Sequence, residues 1–203
     1  FTLQALHQED REGVMRLGKA GCLPLYDVER FLGPVSQNCR GAMNASLDYV
    51  AKDAGIRTVV LTLRPSLYLT AAGGNRLVAD LAAAPAPPAQ VFRAALDQTV
   101  GRLEQAGKDV VFVLDWPELD FDPKTCVDAR PLRFTRYRQR DCIMDRTKVD
   151  AMLPFYRPLV AEVLAPHPRA KAWDPRRALC NERTCTAMLD GVMMYRDDHH
   201  LSL

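Results

Sequence analysis

Twice in this chain a helical pattern ends in glycine and hands over to a short β-rich apolar run. In residues 39–55, Met43, Leu47, Val50 and Ala51 recur at helical spacing, Gly55 stops the pattern, and Thr58-Val59-Val60-Leu61-Thr62-Leu63 follows. In residues 91–106 the apolar side is Val91, Ala94, Ala95, Val100 and Leu103, Gly107 is the stop, and Val110-Val111-Phe112-Val113-Leu114 is the run. A helix–glycine–strand cadence predicts right-handed βαβ units. Runs this apolar predict strands covered on both faces. The expectation is an α/β chain with a mostly parallel sheet and helices on both of its faces.

The intervening segments complete that reading. Residues 3–13 read as the tail of a helix, and Val14-Met15-Arg16-Leu17-Gly18 as a short strand running into a Gly/Pro loop around Cys22. The Ala/Pro/Gly stretch of residues 71–88 reads as a surface excursion. Residues 118–145 form a long irregular insertion enclosed by Cys126 and Cys142. A helix over 149–164 is interrupted near Pro154 and Pro158, so it is bent or begins late. Residues 170–174 read as an edge strand, and 186–189 with 191–195 as a hairpin. Ligands of such folds bind beyond the carboxyl ends of the strands, which singles out Gly21, Arg64, Tyr68, Asp115 and Trp116.

At 203 residues the chain is expected to be one domain, and both its ends read as cuts within a longer protein. A net charge of +2 is too mild to argue for nucleic acid. The basic run from Arg130 to Arg140 carries interleaved aromatics, but the surrounding acids offset it, and a solvated loop or a cationic loop over an anionic saccharide suits it better. No apolar run approaches the roughly 20 residues that span a bilayer.

Six cysteines are more telling. Their order suggests three local pairs, Cys22–Cys39, Cys126–Cys142 and Cys180–Cys185, in stretches that otherwise read as loop. Disulfides of this number imply an oxidising compartment such as a periplasm. The competing reading is zinc held by Cys180, Cys185, His199 and His200. Against it, the cysteine spacing exceeds the usual C-x₂-C, and adjacent histidines compete for one ion.

The chain closes on Tyr195-Arg196-Asp197-Asp198-His199-His200-Leu201-Ser202. Asp197 and His200 can meet across one turn, the carboxylate holding one ring nitrogen while the other faces a hydroxyl. That pairing suits an orienting acid and a general base; the plainer alternative is a polar chain end. Arg64 and Gly21 are candidates for an anion or oxyanion contact; an exposed arginine explains the first equally well, and a tight-turn glycine is the commoner explanation of the second. Asp115 and Trp116 fit a sugar-binding wall or an ordinary helix cap and half-buried ring. The nucleophile is the deficit: none of Ser36, Ser46, Ser66 and Ser202 lies in a strand-Gly-Asp-Ser-helix setting.

Together these blocks resemble a known family. Lys19-Ala20-Gly21-Cys22-Leu23-Pro24 is similar to its G-C-P-P block, and residues 58–68 to its strand end V-V-L-…-R-W-S-x-Y, with Pro65 where Trp is common. Ala178-Leu179-Cys180 with Cys185, and Tyr195 to Leu201, resemble its L-C-…-C and Y-x-D-x-x-H-L-S blocks. The family is the SGNH-hydrolase-like domain fused to the C-terminus of bacterial acyltransferase-3 membrane proteins. The resemblance implies a three-layer α/β/α, flavodoxin-like fold at the periplasmic face of the inner membrane, within a multi-pass membrane protein. It implies O-acetylation of a surface polysaccharide such as lipopolysaccharide O-antigen through a serine ester, without a cofactor, using acyl groups brought by the fused membrane domain. Asp197 and His200 then stand as acid and base, and Gly21, Arg64 and Tyr68 as oxyanion or substrate candidates. The family's Gly-Asp-Ser-His block, which carries the nucleophile, is absent from this sequence, and Arg64 stands where the general pattern has Asn. A carbohydrate acetylesterase is the alternative of the same chemistry, and a non-catalytic glycan-binding domain that of another class.

Overall fold

The structure is a computed structural model and describes residues 13–70, 75–79, 86–127 and 141–202. The chain divides into two compact units, Phe1–Leu114 with Phe155–Trp173, and Asp115–Pro154 with Asp174–Leu203.

The first unit holds a parallel sheet of β3 (Thr58–Thr62), β5 (Asp109–Val113) and β7 (Ala170–Trp173), in the order β3-β5-β7. These are the two apolar runs and the expected edge strand. The helices that feed them are α1 (Cys39–Lys52) before β3, α3 (Pro88–Gln105) before β5, and α5 (Tyr156–Leu164) before β7. α3 buries Val91, Phe92, Ala95, Leu96, Val100 and Leu103, one face of a 3.6-residue period. Phe92 meets Phe112 of β5 edge to face at 6.4 Å and Tyr156 of α5 at 6.1 Å. Thr99 is fully buried on that face, and its hydroxyl is satisfied by donating to the Ala95 carbonyl at 2.6 Å and accepting from the Tyr26 amide at 2.9 Å.

Two turns before the strands are tied together by one cation. Lys108 follows Gly107, whose φ of +77° ends α3. Its buried ammonium donates to the carbonyls of Asp53 (2.6 Å) and Ile56 (2.7 Å), just past the C-terminus of α1.

A second sheet, β2-β1-β4, is antiparallel: β1 (Glu29–Leu32), β2 (Val35–Ser36) and β4 (Asn75–Val78). α2 (Pro65–Leu69) follows the end of β3. At the N-terminus of α1, Asn38 adopts a left-handed φ of 53° and makes no side-chain cap. Glu29, buried on β1, caps instead: its carboxylate accepts from the amides of Cys39 (3.0 Å) and Arg40 (3.2 Å). Burial pushes this carboxyl up, but the backbone amides of Cys39, Arg40 and Arg30 outweigh it and the net direction is down. The Cys22–Cys39 disulfide pins the preceding loop to the same helix end.

The second unit contains β6 (Ile143–Asp145) paired antiparallel with β8 (Thr184–Thr186), short helices α4 (Arg146–Ala151) and α6 (Arg176–Leu179), and a hairpin of β9 (Met188–Leu189) and β10 (Val192–Met193). A small core of Leu119, Phe121, Met144, Leu179 and Tyr195 holds it, with Cys126–Cys142 and Cys180–Cys185 closed at its margins. The three pairings are those expected from the order of the cysteines.

Several expectations are corrected. Residues 14–18 form no strand; Val14, Met15 and Leu17 are exposed, and no strand among the described residues pairs with the segment. Residues 75–78, inside the supposed excursion, are β4, recruited by pairing with β1. The sheet of β3, β5 and β7 is parallel as expected, and what is added among the described residues, beyond the expected hairpin, is antiparallel pairing of β1 with β2 and β4 and of β6 with β8. β3 is not covered on both faces: Val59 and Leu61 are buried while Thr58, Val60 and Thr62 are exposed, whereas along β5 Val110 and Phe112 are buried and Val111 and Val113 half-buried. Pro154 lies between α4 and α5, so the helix begins late, at Tyr156, as one of the two readings had it, and Pro158 sits in its first turn, where a missing amide breaks no helical bond. The expected helix over 3–13 falls largely, and the basic run over 130–140 wholly, outside the described residues. No helix among the described residues is long and apolar enough to cross a membrane.

Candidate functional site

The Asp/His loop is built by the hairpin before it. Asp190 and Gly191 both take positive φ, 48° and 77°, as a two-residue hairpin turn of the primed kind requires. Past β10 the chain buries Met194 and Tyr195, and the Tyr195 hydroxyl donates to the Pro117 carbonyl at 2.8 Å. Burial pushes that phenol well up, with the Asp115 carboxylate adding to the shift, so it stays protonated and acts as an anchor. A β-bridge between Tyr195 and Leu201 then closes a short loop, reinforced by the Arg196 amide donating to the His200 carbonyl at 2.8 Å. On its other side the Leu119 amide donates to the Asp198 carbonyl at 2.7 Å.

Within this loop Asp197 and His200 meet. The His200 Nδ1 lies 2.9 Å and 3.0 Å from the two Asp197 carboxylate oxygens, and Asp197 Oδ1 also accepts from the backbone amides of His199 (3.1 Å) and His200 (2.7 Å). Desolvation raises the Asp197 carboxyl, yet the hydrogen bonds from the His200 ring and the two amides hold it far below the usual range. The carboxylate is therefore charged at any physiological pH. A charged carboxylate on Nδ1 fixes the neutral imidazole with its proton there and its lone pair on Nε2. That is the tautomer a general base needs. His199 turns instead to Asp198, with its Nδ1 2.6 Å from that carboxylate.

Each serine hydroxyl has a partner other than His200. Ser36 Oγ accepts from the Asn38 amide, Ser46 donates to the Ala42 carbonyl, Ser66 accepts from Arg64 Nε, and Ser202 donates to the Met193 carbonyl.

A second cluster lies in the other unit and gathers Gly21 and Tyr68. Its centre is Arg30, a buried arginine on β1. Arg30 Nη1 donates to the Gly21 carbonyl at 2.8 Å, and Nε and Nη2 both donate to Asn75 Oδ1, at 2.8 Å and 2.6 Å. The guanidinium also lies 5.5 Å from the centre of the Tyr68 ring. Gly21 has a φ of +73°, and a Cβ there would sit 2.5 Å from Arg30 Nη1, so both backbone and space demand glycine. Tyr68 is buried, and its burial raises the phenol, with Arg30 opposing. Arg64 bonds Ser66 at 3.0 Å at the start of α2. Asp115 Oδ1 accepts from the Trp116 amide at 3.0 Å, and the Trp116 ring packs against the core of its own unit.

Arg30 and Asn75 were invisible to motif reasoning. The one available signal was a Glu-Arg pair inside the otherwise apolar run of residues 28–32, where buried charges require partners.

The matching family model is described as the SGNH domain fused to AT3 domains, and it spans residues 2–203. The chain belongs to that SGNH-domain family. Among solved structures, the SGNH domain is similar to the periplasmic domain of a lipopolysaccharide acetyltransferase from Salmonella ser. Paratyphi A, at 17% identity and a TM-score of 0.47. That match covers 88% of this SGNH domain and 62% of the Salmonella chain. No curated protein sequence matches.

Proposed function

We propose that this SGNH domain is the transfer module of an AT3-fused O-acyltransferase that acetylates a cell-surface polysaccharide, such as the O-antigen of lipopolysaccharide, at the periplasmic face of the inner membrane. The observation that carries the reading is the Asp197–His200 pair: a charged, amide-held carboxylate on Nδ1 of an imidazole, in a chain matched by the family over residues 2–203. Three disulfides agree with an oxidising compartment. The parallel sheet and its helices fit the three-layer, flavodoxin-like arrangement of the resemblance.

In the proposed cycle, His200 Nε2 takes the proton of a serine hydroxyl as its oxygen attacks the acyl carbonyl, and Asp197 stabilises the resulting imidazolium. The imidazolium returns its proton to the departing donor group, leaving an acetyl-serine ester. A sugar hydroxyl next gives its proton to Nε2 and attacks the ester, and the serine leaves with that proton. Because this sequence holds no Gly-Asp-Ser-His block, the nucleophile is assigned to that block in a longer protein. Gly21 and Arg64 remain the oxyanion candidates and Tyr68 a buried support beside Gly21, held through Arg30.

The test is His200→Ala in the full-length protein, read as polysaccharide acetylation in cells and by mass of the purified glycan. Loss of acetylation with normal protein abundance supports the assignment; normal acetylation overturns it. Release of free acetate from acetylated glycan, with no transfer to sugar, would make the domain an esterase instead.

A further inference from the structure

The loop that carries the Asp–His pair holds a second imidazole that the transfer cycle does not use. One ligand atom each from Asp197, His199 and His200 lies within 4.8 Å of the other two. Asp197 Oδ1 is 3.0 Å from His200 Nδ1 and 3.6 Å from His199 Nδ1. Zinc held by imidazole and carboxylate at about 2.0–2.1 Å in tetrahedral geometry places neighbouring ligand atoms roughly 3.3 Å apart. The two observed separations straddle that spacing.

Three further features favour an ion here. Adjacent histidines were expected to compete for one ion, but this loop brings their rings together with centroids 4.0 Å apart, so both reach the same carboxylate with little rearrangement. The loop is held at both ends by the Tyr195–Leu201 bridge and by the Leu119–Asp198 backbone bond. Every cysteine is in a disulfide, so no thiolate competes for a soft ion and the earlier Cys180/Cys185 ligand set is ruled out. Imidazole with carboxylate is the donor set of Zn²⁺, Ni²⁺ and Cu²⁺ rather than of Mg²⁺ or Ca²⁺.

We propose that Asp197, His199 and His200 form a site for a divalent transition-metal ion such as Zn²⁺, and that its occupation switches off the Asp197–His200 pair. The switching step follows from the tautomer. Coordination uses the Nδ1 lone pair of His200, so the ring proton that bridged to Asp197 moves to Nε2 and the imidazole stays neutral. Nε2 is then a donor and cannot accept a proton from a hydroxyl. The same ion takes the carboxylate that had fixed the working tautomer. His199 Nδ1 leaves Asp198 and becomes the third ligand, with water completing the shell. Ion binding stands on geometry alone, whereas the switch rests on the proposed role of His200.

Zinc chloride titrated into the 203-residue chain by calorimetry, and Co²⁺ followed by its visible absorption, measure the site directly. The expected result is one ion per chain, with affinity falling by about tenfold or more in both His199→Ala and Asp197→Asn. Retained circular dichroism in each variant, and unchanged binding in His167→Asn, confine the effect to the loop. No saturable binding, or binding unchanged in His199→Ala, overturns the site. In the full-length protein, zinc should suppress acetyl transfer and a chelator restore it, while His199→Ala keeps basal transfer and loses zinc sensitivity. Transfer that is indifferent to saturating zinc, or equally suppressed in His199→Ala, overturns the switch. A full-length protein without any transfer activity would fail the function proposed above, yet the titration would still judge the metal site.

Discussion

Replacing Arg30 tests whether one buried guanidinium holds together two of the candidate residues. Its fork satisfies the Gly21 carbonyl through Nη1 and the Asn75 amide oxygen through Nε and Nη2, while its face lies over Tyr68. Arg30→Met keeps the stem and removes every one of these donors. A hydrogen bond to a charged group is worth about 1.5–3 kcal/mol. Both acceptors are partly buried, which argues for the lower end at each of the two anchors, or about 3 kcal/mol in total. For a chain of this size that is a melting shift of roughly 6–12 °C. Arg30→Lys should recover only about half of the loss, because an ammonium has no planar fork to serve both anchors at once. Urea unfolding of wild type, Arg30→Met, Asn75→Ala and the double variant closes a cycle, and a coupling of about 1.5 kcal/mol or more is expected. Arg30→Lys matching wild type, or an additive cycle, would refute the idea that the fork ties the Gly21 loop to β4.

Other expectations follow from the same two units. Gly21→Ala should destabilise by about 1–3 kcal/mol, since the new Cβ meets Arg30 Nη1 and the backbone is left-handed there; thermal melts against wild type check it. Glu29→Gln should cost about 2–3 kcal/mol at neutral pH by weakening the remote cap on α1. Because the folded carboxyl is held below its unfolded value, that contribution is present above the unfolded pKa and lost as pH falls through the folded one, so the two melting curves should converge in acid. His167 behaves oppositely. Desolvation lowers its pKa, but Glu104 on Nδ1 (2.9 Å) and Asp97 on Nε2 (3.2 Å) outweigh this and raise it. Its contribution is therefore full below the unfolded pKa and lost as pH rises through the folded one; a wild-type advantage over His167→Asn that grows with pH would contradict this. Alkylation under non-reducing, denaturing conditions should add no mass, as every thiol is paired.

What the sequence disclosed, it disclosed through local rules. The runs at 58–63 and 110–114 became neighbouring parallel strands because an apolar run after a helix and a glycine leaves the backbone few alternatives. The disulfides followed from the order of the cysteines, and the hairpin from the Gly191 turn. Asp197 and His200 were legible for the same reason, since three residues separate them and one turn joins them. The antiparallel sheet was not legible. β4 is four residues inside an Ala/Pro/Gly stretch, and only its ladder with β1, more than forty positions away, makes it a strand. Nor did apolarity reveal how much of β3 is covered: Val60 looks like Val59 in the sequence, yet Val59 is buried and Val60 is 57% exposed. Period-2 geometry sends them to opposite faces, and only the tertiary structure decides which face is packed.

The Arg30 cluster shows why a motif locates residues without giving their roles. Gly21 and Tyr68 stand out for their places beyond expected strand ends and again in family blocks, and each has an ordinary explanation when taken alone. Joined through Arg30, they share one constraint. The Gly21 carbonyl cannot turn without breaking a charge-assisted bond, and Tyr68 cannot move without uncovering the guanidinium. A peptide whose carbonyl is held in one direction also has its plane fixed, and with it the amide of the following residue, Cys22. That amide is already committed to the Lys19 carbonyl at 3.0 Å. The oxyanion contact first considered at this loop would therefore have to come from the amide of Gly21 itself, on the other side of the glycine's freely rotating φ and ψ. Under the function proposed above, Arg30 would limit that freedom from a distance, as a positioning residue. Arg30→Lys in the full-length protein should lower the rate of acetyl transfer while leaving glycan binding unchanged, and weakened binding with an unchanged rate would place Arg30 on the substrate side instead.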